Sequence, residues 1–266
     1  MAKYAFQVEV QPRYLPDQSA PAEGLYGFAY TITITNSTFS NNRANGNTVG
    51  GAIFAVSGTM TVLNSTFTLN FAAQSGGAIY QGGPTQIQNS IFAQNTAGFS
   101  APDLFGSFTT LGNNLIGSND GNGLVAGSPN AGGDYVGTNA NPINALLGPL
   151  ANNGGPTATH ALNCGSVAVD HGSTAAGPPT DQRGITRPAG AATDIGAYEA
   201  VLGLTVDAIS SPVLFVGRPT NQNLNASGGM GPYSFVVNGG TLPAGLTLST
   251  AGALSGTPTA PGMFPI

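Results

Sequence analysis

The residues that could act together as acids and bases are grouped shortly before position 200. They are Asp170, His171, Asp181, Arg183, Arg187, Asp194 and Glu199. In one interpretation Asp181 and Asp194 form an acid/base pair with His171 nearby, as general acid–base catalysis requires. In the other, the arginines pair with the carboxylates and hold long loops that close the fold. We favour the second, because the spacings are those of loops, and we predict no catalytic residue.

The stretch before this group carries few charges. Between Ser37 and Ile116 the only charged residues are Arg43 and Asp103. A polysaccharide lyase or hydrolase built on repeated strands needs clustered carboxylates, often with a calcium ion, and a base. No carboxylate pair occurs in this range. His160, in TATHAL, is expected to be a packed or solvated side chain rather than a ligand.

The remaining motifs predict neither a metal nor a cofactor. The segment NDGNG lacks the regularly spaced acids of calcium-binding loops. Cys164 is the single cysteine, and we expect a buried, inert thiol. Asn36, Asn64 and Asn225 fit the glycosylation acceptor pattern. For the first two this match is incidental, because they belong to a structural repeat.

The composition is typical of short strands and tight turns. Of 266 residues, 6% are charged, whereas about 25% is usual for a globular domain. Asn, Thr, Ser and Gly supply the polar positions. Six basic residues and a net charge of −5 argue against a nucleic-acid partner. No apolar run approaches the roughly 18 residues of a membrane-spanning helix.

Three segments align without gaps and define a repeat. They are NSTFSNNRA from Asn36, NSTFTLNFA from Asn64 and NSIFAQNTA from Asn89, spaced by 28 and 25 residues. GGAIF and GGAIY lie between them. Self-similarity at this period is typical of a solenoid.

The spacing inside the repeat favours strands. An apolar residue lies two positions before each Asn and a phenylalanine three positions after it. The apolar residue and the phenylalanine are therefore an odd number of positions apart. Two residues on the same face of one strand are an even number apart, so the chain must turn at Asn-Ser, as it does at a corner between two strands. Asn tolerates the left-handed conformation of such a corner, and the Gly-Gly pair marks a second corner. Stacked coils would place Phe39, Phe67 and Phe92 in one column.

The predicted fold class is therefore all-β, a right-handed parallel β-helix over 37–200. A leucine-rich repeat is disfavoured, since no leucine ladder or helix accompanies each unit. LGPLANNGGPTATHAL, GSVAVDHGS, TDQRGITRP and DIGAYE follow the coils. In this order they resemble the C-terminal segment of bacterial surface β-helix proteins with a choice-of-anchor type domain. NDGNGLVAGSPNAGGDYVG, which precedes them, is interpreted as an irregular loop.

The two ends resemble other families. Over 203–266, LPAGL and LSGTP resemble an Ig-like (cadherin-like) module, which we expect to be a truncated β-sandwich. Over 8–36, RYLPDQS and FAYTITITN resemble the first strands of ApaG proteins, which are small soluble sandwiches linked to cobalt and magnesium tolerance. We expect an incomplete strand pair over 1–36 and a junction near residue 36, with Ile32 and Ile34 pointing into the first coil.

These observations predict a non-catalytic structural or adhesion protein of the cell surface or extracellular space that binds glycans or proteins. One alternative is an ApaG-type soluble protein, and another is a carbohydrate-active β-helix enzyme. The N-terminus MAKYAFQVEV lacks the apolar core of a secretory signal. The chain as written is therefore expected in the cytoplasm, although its body resembles exported proteins.

Overall fold

The structure, a computed structural model, describes residues 8–10, 25–27, 30–201, 203, 205–206, 213–227, 229 and 233–264. The motif RYLPDQS lies outside these residues. The chain divides into two compact units, Met1–Ala200 and Val201–Ile266. Every regular element in the described residues is a strand, and no helix among them could cross a membrane.

The first unit contains four sheets made of equivalent strands from successive coils. Sheet I contains β1 (Val8–Val10), β3 (Tyr30–Thr35), β7 (Gly58–Leu63), β11 (Thr85–Gln88) and β15 (Phe108–Thr110). Sheet II contains β4 (Thr38–Ser40), β8 (Thr66–Thr68), β12 (Ile91–Ala93), β16 (Leu115–Ile116) and β17 (Tyr135–Val136). Sheet III contains β2 (Leu25–Gly27), β6 (Ile53–Ala55), β10 (Ile79–Gln81) and β14 (Leu104–Phe105). The small sheet IV contains β5 (Arg43–Ala44), β9 (Phe71–Ala72) and β13 (Thr96–Ala97).

The first three coils pass through sheets III, I, II and IV in that order, and the fourth passes through sheets III, I and II. Within the sheets, equivalent strands pair in parallel, and only β1 runs antiparallel to its neighbour β3. Because each strand pairs with its counterpart one repeat later, the coils stack into a β-solenoid of about three turns. The prediction of an all-β fold with a parallel solenoid is confirmed.

The predicted phenylalanine column is present in the interior. The rings of Phe39 and Phe67 stack with centroids 4.4 Å apart, and those of Phe67 and Phe92 with centroids 5.1 Å apart. All three side chains are buried. Aromatic stacking adds to the burial of these large apolar surfaces, so the column links the three coils through the core.

The predicted corners are also present. Asn36, Asn64 and Asn89 have φ angles of 47°, 45° and 48°, which lie in the left-handed region that Asn tolerates. Gly50, in the first Gly-Gly pair, has a φ of 70° and marks the second predicted corner.

A third corner was not predicted. It lies between sheets II and IV, and its residues also have left-handed backbones with φ angles of 59°, 58° and 61°. They are Asn41, Leu69 and Gln94. Only the first has the side chain that commonly marks such a position, so the sequence gives a weak signal for this corner.

The ApaG-like strand is a regular part of the solenoid. β3 pairs in parallel with β7 over its six residues, and Ile32 and Ile34 lie opposite Met60 and Val62. Both isoleucines are buried. The prediction that they point into the first coil is therefore confirmed.

The segment interpreted as an irregular loop is only partly irregular. Tyr135 and Val136 within it form β17, which pairs in parallel with β16 and extends sheet II. Two residues are too few to show a strand pattern in the sequence, and the prediction was wrong at this point.

The residues after β17 cover the outer side of sheet II, and we call 143–200 the closing segment. It contains one hairpin, β18 (Leu147–Ala151) and β19 (Thr159–Leu162). A second hydrophobic core forms between this segment and the outward residues of sheet II. Its buried members are Ile91, Ala93, Leu115, Tyr135, Ala145, Leu162, Ala168 and Ile195. The segment therefore lies along the side of the coils, whereas we had expected loops that close the solenoid.

The second unit is made of antiparallel strands. β20 (Thr205–Val206) pairs with β22 (Ala226–Ser227). β21 (Thr220–Asn223), β24 (Ala253–Gly256) and β23 (Leu246–Leu248) form a three-stranded sheet in that order. Leu246 and Leu254 are buried in this unit. Such small antiparallel sheets agree with the predicted Ig-like module.

Candidate functional site

Buried asparagines form a ladder through the coils. Asn42 donates from its backbone and its side chain to Oδ1 of Asn70, at 3.0 and 2.8 Å. Asn70 donates in the same way to Oδ1 of Asn95, at 3.0 and 2.9 Å. Asn95 in turn donates to Oδ1 of Asp103 at 3.3 and 2.8 Å. The side-chain oxygen of each asparagine accepts hydrogen bonds from the asparagine one coil earlier. The last asparagine therefore needs an acceptor of its own, and the carboxylate of Asp103 provides it.

A second ladder has the same design. The backbone N–H groups of Ser37 and Ser65 donate to the hydroxyl of the serine one coil later, both at 3.2 Å. Ser90 donates to Oδ1 of Asn114 at 3.1 Å, and Asn114 donates to Oδ1 of Asp134 at 2.9 Å. This ladder also ends on a carboxylate. Two of the acids in the solenoid thus complete hydrogen-bonded columns.

Both charged residues between Ser37 and Ile116 make internal contacts. Asp103 also accepts a hydrogen bond from the backbone N–H of Ser118 at 2.8 Å. Burial raises the pKa of Asp103 to about 7, although the N–H groups of Asn95 and Ser118 favour its ionised form. The guanidinium of Arg43 lies over the ring of Phe71 at 4.4 Å.

The corner asparagines dock the closing segment onto sheet II. Nδ2 of Asn36 donates to the carbonyl of Thr180 at 2.6 Å. Nδ2 of Asn89 donates to the carbonyl of Ser173 at 2.9 Å, and its Oδ1 accepts the N–H of the same residue at 2.8 Å. Nδ2 of Asn113 donates to the carbonyl of His171. These three side chains thus bind the closing segment in addition to turning the chain, whereas the buried side chain of Asn64 has no hydrogen-bond partner in the part of the chain that the structure describes.

A buried ion pair lies at the centre of the closing segment. Nη1 of Arg187 is 2.8 Å from Oε2 of Glu199, and both side chains are almost fully buried. Glu199 also accepts the backbone N–H groups of Ala189 and Asp194 at 2.8 and 2.9 Å. A buried charge pair is tolerated only when further hydrogen bonds support it. Here Nη1 and Nη2 of Arg187 also donate to the carbonyls of Asp194 and Gly196, whereas its Nε has no hydrogen-bond partner among the described residues. The predicted pairing of an arginine with Glu199 is confirmed.

The two acids of the catalytic interpretation are bonded to backbone groups. Asp181 accepts the N–H groups of Ile185 and Glu199 at 3.0 and 2.9 Å and pairs with Arg183 at 2.7 Å. Asp194 accepts the N–H groups of Asp170 and Ala200 at 2.7 and 2.5 Å. Their oxygens therefore hold loops in place.

Asp194 has the most perturbed carboxyl of this segment. Burial raises its pKa to about 7, and the neighbouring carboxylates of Glu199 and Asp170 act in the same direction. A carboxyl with such a pKa is often a candidate acid. Its two short bonds from backbone N–H groups give it a structural role instead.

His171 does not join these acids. Its ring is exposed, packs edge-on against Tyr135 at 5.3 Å, and bonds through Nδ1 to the carbonyl of Val169 at 2.6 Å. No hydrogen bond links His171 to Asp181 or Asp194 in the part of the chain that the structure describes. The functional grouping considered from the sequence is therefore not assembled.

His160 is a packed side chain, which is one of the two alternatives, packed or solvated, that the sequence predicted. Its Nδ1 lies 2.7 Å from the carbonyl of Gly148 and its Nε2 lies 2.8 Å from the hydroxyl of Ser40, 120 residues away. Burial lowers the pKa of His160. A serine beside a histidine is also the geometry of an activated nucleophile. Here both side chains are buried between sheet II and the hairpin, so the pair anchors β19 to β4.

The cysteine prediction was wrong. Cys164 is exposed, because it lies in the turn after β19 that is closed by the hydrogen bond from the N–H of Ser166 to the carbonyl of Asn163. Of the three acceptor-like asparagines, Asn64 is fully buried and Asn225 is exposed. The first is a structural corner, as predicted.

The segment NDGNG uses its oxygens internally. The carboxylate of Asp120 accepts the N–H of Ala101 at 2.9 Å, and Oδ1 of Asn122 accepts the N–H of Leu124 at 3.0 Å. These groups hold the loop against the coils. Within the described residues, no three His, Cys, Asp or Glu side chains group as metal ligands.

The comparisons with known proteins find similarity over limited parts of the chain. A family model described as "Putative Ig domain" matches residues 201–266. Protein ApaG of Acidovorax sp. (strain JS42) is 76% identical over 38 residues, which is 14% of this chain and 28% of that protein. Protein ApaG of Stenotrophomonas maltophilia (strain K279a) is 67% identical over 33 residues, which is 12% of this chain and 26% of that protein.

The chain therefore spans less than a third of the length of these ApaG relatives. None of these matches is to an enzyme family, and no solved structure matches the chain. The Ig-like resemblance of the C-terminal unit is confirmed, and the short ApaG resemblance is confirmed as a match over a small part of both proteins. The choice-of-anchor resemblance stays a prediction.

Proposed function

We propose that the protein is a non-catalytic structural or adhesion protein of the cell surface or extracellular space. The observation that carries the proposal is how the acids and bases of the closing segment are used. Asp181, Asp194 and Glu199 accept hydrogen bonds from backbone N–H groups, and Arg187 is buried against Glu199. These are the groups that a catalytic site would need free.

The architecture supports the same role. The parallel coils stack through hydrogen-bonded ladders and through the phenylalanine column, which would make the solenoid rigid. The closing segment packs against sheet II and adds to this rigidity. The Ig-like unit, 201–266, would serve as a spacer toward an anchor. The four ordered motifs after the coils support the placement among surface proteins with a choice-of-anchor type segment.

The ApaG-type alternative receives less support. The residues that resemble ApaG include β3, and in this chain β3 is a parallel strand of the solenoid with a buried inward face. We therefore propose no role in cobalt or magnesium tolerance.

The proposal is tested by retention on cell-envelope material. The purified protein is mixed with sedimented bacterial cell-wall fractions, and bound protein is quantified after washing. We expect retention well above that of a non-binding protein of similar size and acidity. A protein that stays entirely in the supernatant would contradict an adhesive role.

The non-catalytic part is tested with polymers of the kind that β-helix enzymes cleave. We expect no product from pectin-like or alginate-like substrates over prolonged incubation. Turnover that disappears in folded Asp181→Asn or Asp194→Asn variants would establish the enzyme alternative instead.

A further inference from the structure

We propose that the outward face of sheet I binds an uncharged, extended polysaccharide, an inference that rests on the proposed adhesive function and gives it a location and a ligand class. The face is a regular array of hydroxyl and amide side chains, which we call the hydroxyl–amide face. We restrict this name to Thr31, Thr33, Thr59, Thr61, Gln86 and Thr109. The next outward row, Thr35, Leu63 and Gln88, includes a leucine and is not part of it.

The strand register creates this array. Thr33, Thr61, Gln86 and Thr109 are aligned one per coil across β3, β7, β11 and β15. Thr31 and Thr59 are also aligned with each other, and each lies two residues before Thr33 or Thr61 in its own strand. Neighbouring strands are about 4.8 Å apart, and residues i and i+2 along a strand are about 6.6 Å apart. The face therefore repeats polar groups in two directions.

The alternate residues of the same strands fix the side chains outward. Ile32, Met60 and Ile87 point into the core and are buried. A slip of one residue would place the isoleucines in solvent, so the register of the array is strongly specified. A surface held in this way keeps its spacing without a ligand and loses little entropy on binding.

This face is open, whereas the outward face of sheet II is not. Thr31, Thr59, Gln86 and Thr109 are exposed. Sheet II is covered by the closing segment. On sheet III, the rings of Tyr80 and Phe105 stack with centroids 4.5 Å apart and an interplanar angle of 12°. Each ring covers one face of the other, so that face cannot stack on a sugar ring.

Charge and hydrogen-bonding chemistry select the ligand. The four parallel strands of sheet I carry no charged residue, and the edge strand β1 adds only the acidic Glu9, opposite Thr33. An anionic polymer therefore finds no counter-charge there. Hydroxyl and amide groups both donate and accept hydrogen bonds, as the hydroxyls of a neutral sugar do. Each contact is weak, but a polymer with a repeat similar in length to the strand spacing contacts several coils at once and gains by multivalency.

The test compares binding of the full chain to microcrystalline cellulose, to chitin and to anionic polygalacturonate by depletion from solution. The variant is the triple substitution Thr61→Val, Gln86→Leu and Thr109→Val. It removes hydrogen-bonding groups and keeps side chains of similar size. The matched control is Thr174→Val, since Thr174 is exposed on the closing segment. Circular dichroism and thermal unfolding confirm that each variant is folded.

We expect the native chain and the control to bind a neutral polymer and not polygalacturonate, and the triple variant to bind at least tenfold more weakly. Equal binding by a folded triple variant would overturn the inference and leave the adhesive function standing. Retention on cell-wall fractions without binding to either neutral polymer would also overturn the inference and leave the adhesive function standing. Absence of binding to every polymer and to cell walls would overturn both. Concentration-dependent self-association lost in the triple variant, with no polysaccharide binding, would assign the face to a second copy of the chain instead.

Discussion

At the residue scale, the backbone conformation and the hydrogen bonds of buried polar groups determine which side chain is most stable at a position. Leu69 illustrates the first. It has a φ of 58° at the unpredicted corner, where the equivalent residue of the preceding coil is Asn41. A left-handed backbone costs roughly 1 kcal/mol for most residues and less for Asn, whose side chain can bond locally.

The substitution Leu69→Asn should therefore raise the free energy of unfolding by about 0.5 to 1 kcal/mol in urea denaturation. The matched control is Leu111→Asn, because both leucines are 47% exposed and Leu111 lacks the left-handed conformation. An equal effect of the two substitutions would show that the backbone conformation of Leu69 is not the cause.

Asp103 illustrates buried polarity. Its pKa of about 7 in the folded protein is above the usual value of 3.8, so the folded state binds the proton more tightly than the unfolded chain does. The resulting stabilisation is full below about pH 4 and is lost as the pH rises through 7, with a slope of up to about 1.4 kcal/mol per pH unit.

The substitution Asp103→Asn should remove this slope. It places an amide where only acceptors fit, so we expect lower stability with a smaller decline between pH 4 and pH 7, as measured by chemical denaturation. Asp194 and His160 are unchanged in the variant and contribute to both curves alike. Parallel curves for the native chain and the variant would contradict the role assigned to the Asp103 carboxyl.

Some of these residues were visible in the sequence and others were not. The phenylalanines and corner asparagines repeat with their neighbours, so the pattern predicts their places. Asn42, Asn70 and Asn95 also recur six positions after each corner Asn, but polar side chains are normally expected outside the core and the ladder was missed. Cys164 was wrongly placed, because nothing in its neighbourhood marks the turn that exposes it.

At the scale of elements, the asparagine ladder holds the coils together. Asn70 is fully buried and bonds to Asn42, Asn95 and the carbonyl of Phe39. The substitution Asn70→Ala would leave these groups unpaired in the interior, at a cost of about 3 kcal/mol in the free energy of unfolding.

The control for this prediction is Asn47→Ala. Asn47 is exposed and its side chain accepts one bond from Gln74, so we expect a change within about 0.5 kcal/mol. Urea denaturation measures both. Similar small losses for the two variants would show that the ladder contributes little to stability.

Gly196 joins the closing segment to sheet II. It has a φ of 102°, and a Cβ atom there would lie 2.7 Å from Oγ1 of Thr66 and 2.8 Å from Cδ1 of Ile91. The substitution Gly196→Ala should therefore lift the segment from the sheet and lower stability by about 2 kcal/mol or more. It should also speed hydrogen exchange at the amide of Ala197, which donates to Oγ1 of Thr66 on sheet II.

Gly184→Ala is the matched control for this substitution. Gly184 also has a positive φ, 95°, but no atom lies within 4 Å of its Cβ position. We expect a loss of about 1 kcal/mol from conformation alone and no change in hydrogen exchange at the amide of Ala197. Equal effects would mean that close packing on sheet II is not what Gly196 provides.

The elements differ in how far the sequence could predict them. The coils follow from one repeated spacing, so strand order and register were predictable. The place of the closing segment was not, because its motifs share no period with the coils. Its contacts, such as that between His160 and Ser40, join residues 120 positions apart, and only the folded chain brings them together.

At the scale of the whole molecule, the account depends on the coils stacking residue upon residue. The ladders, the buried acids that end them, the docked closing segment and the open hydroxyl–amide face all follow from that arrangement. The Ig-like unit, 201–266, has its own strands and its own small core.

The most direct test is a nuclear Overhauser measurement on protein with labelled phenylalanine rings. We predict strong cross-peaks from the ring of Phe67 to the rings of both Phe39 and Phe92, because their centroids are 4.4 and 5.1 Å away. Substitution of each phenylalanine by leucine assigns the peaks. Rings of Phe39, Phe67 and Phe92 that show cross-peaks only to unrelated neighbours would contradict the stacked solenoid and the adhesive role built on it.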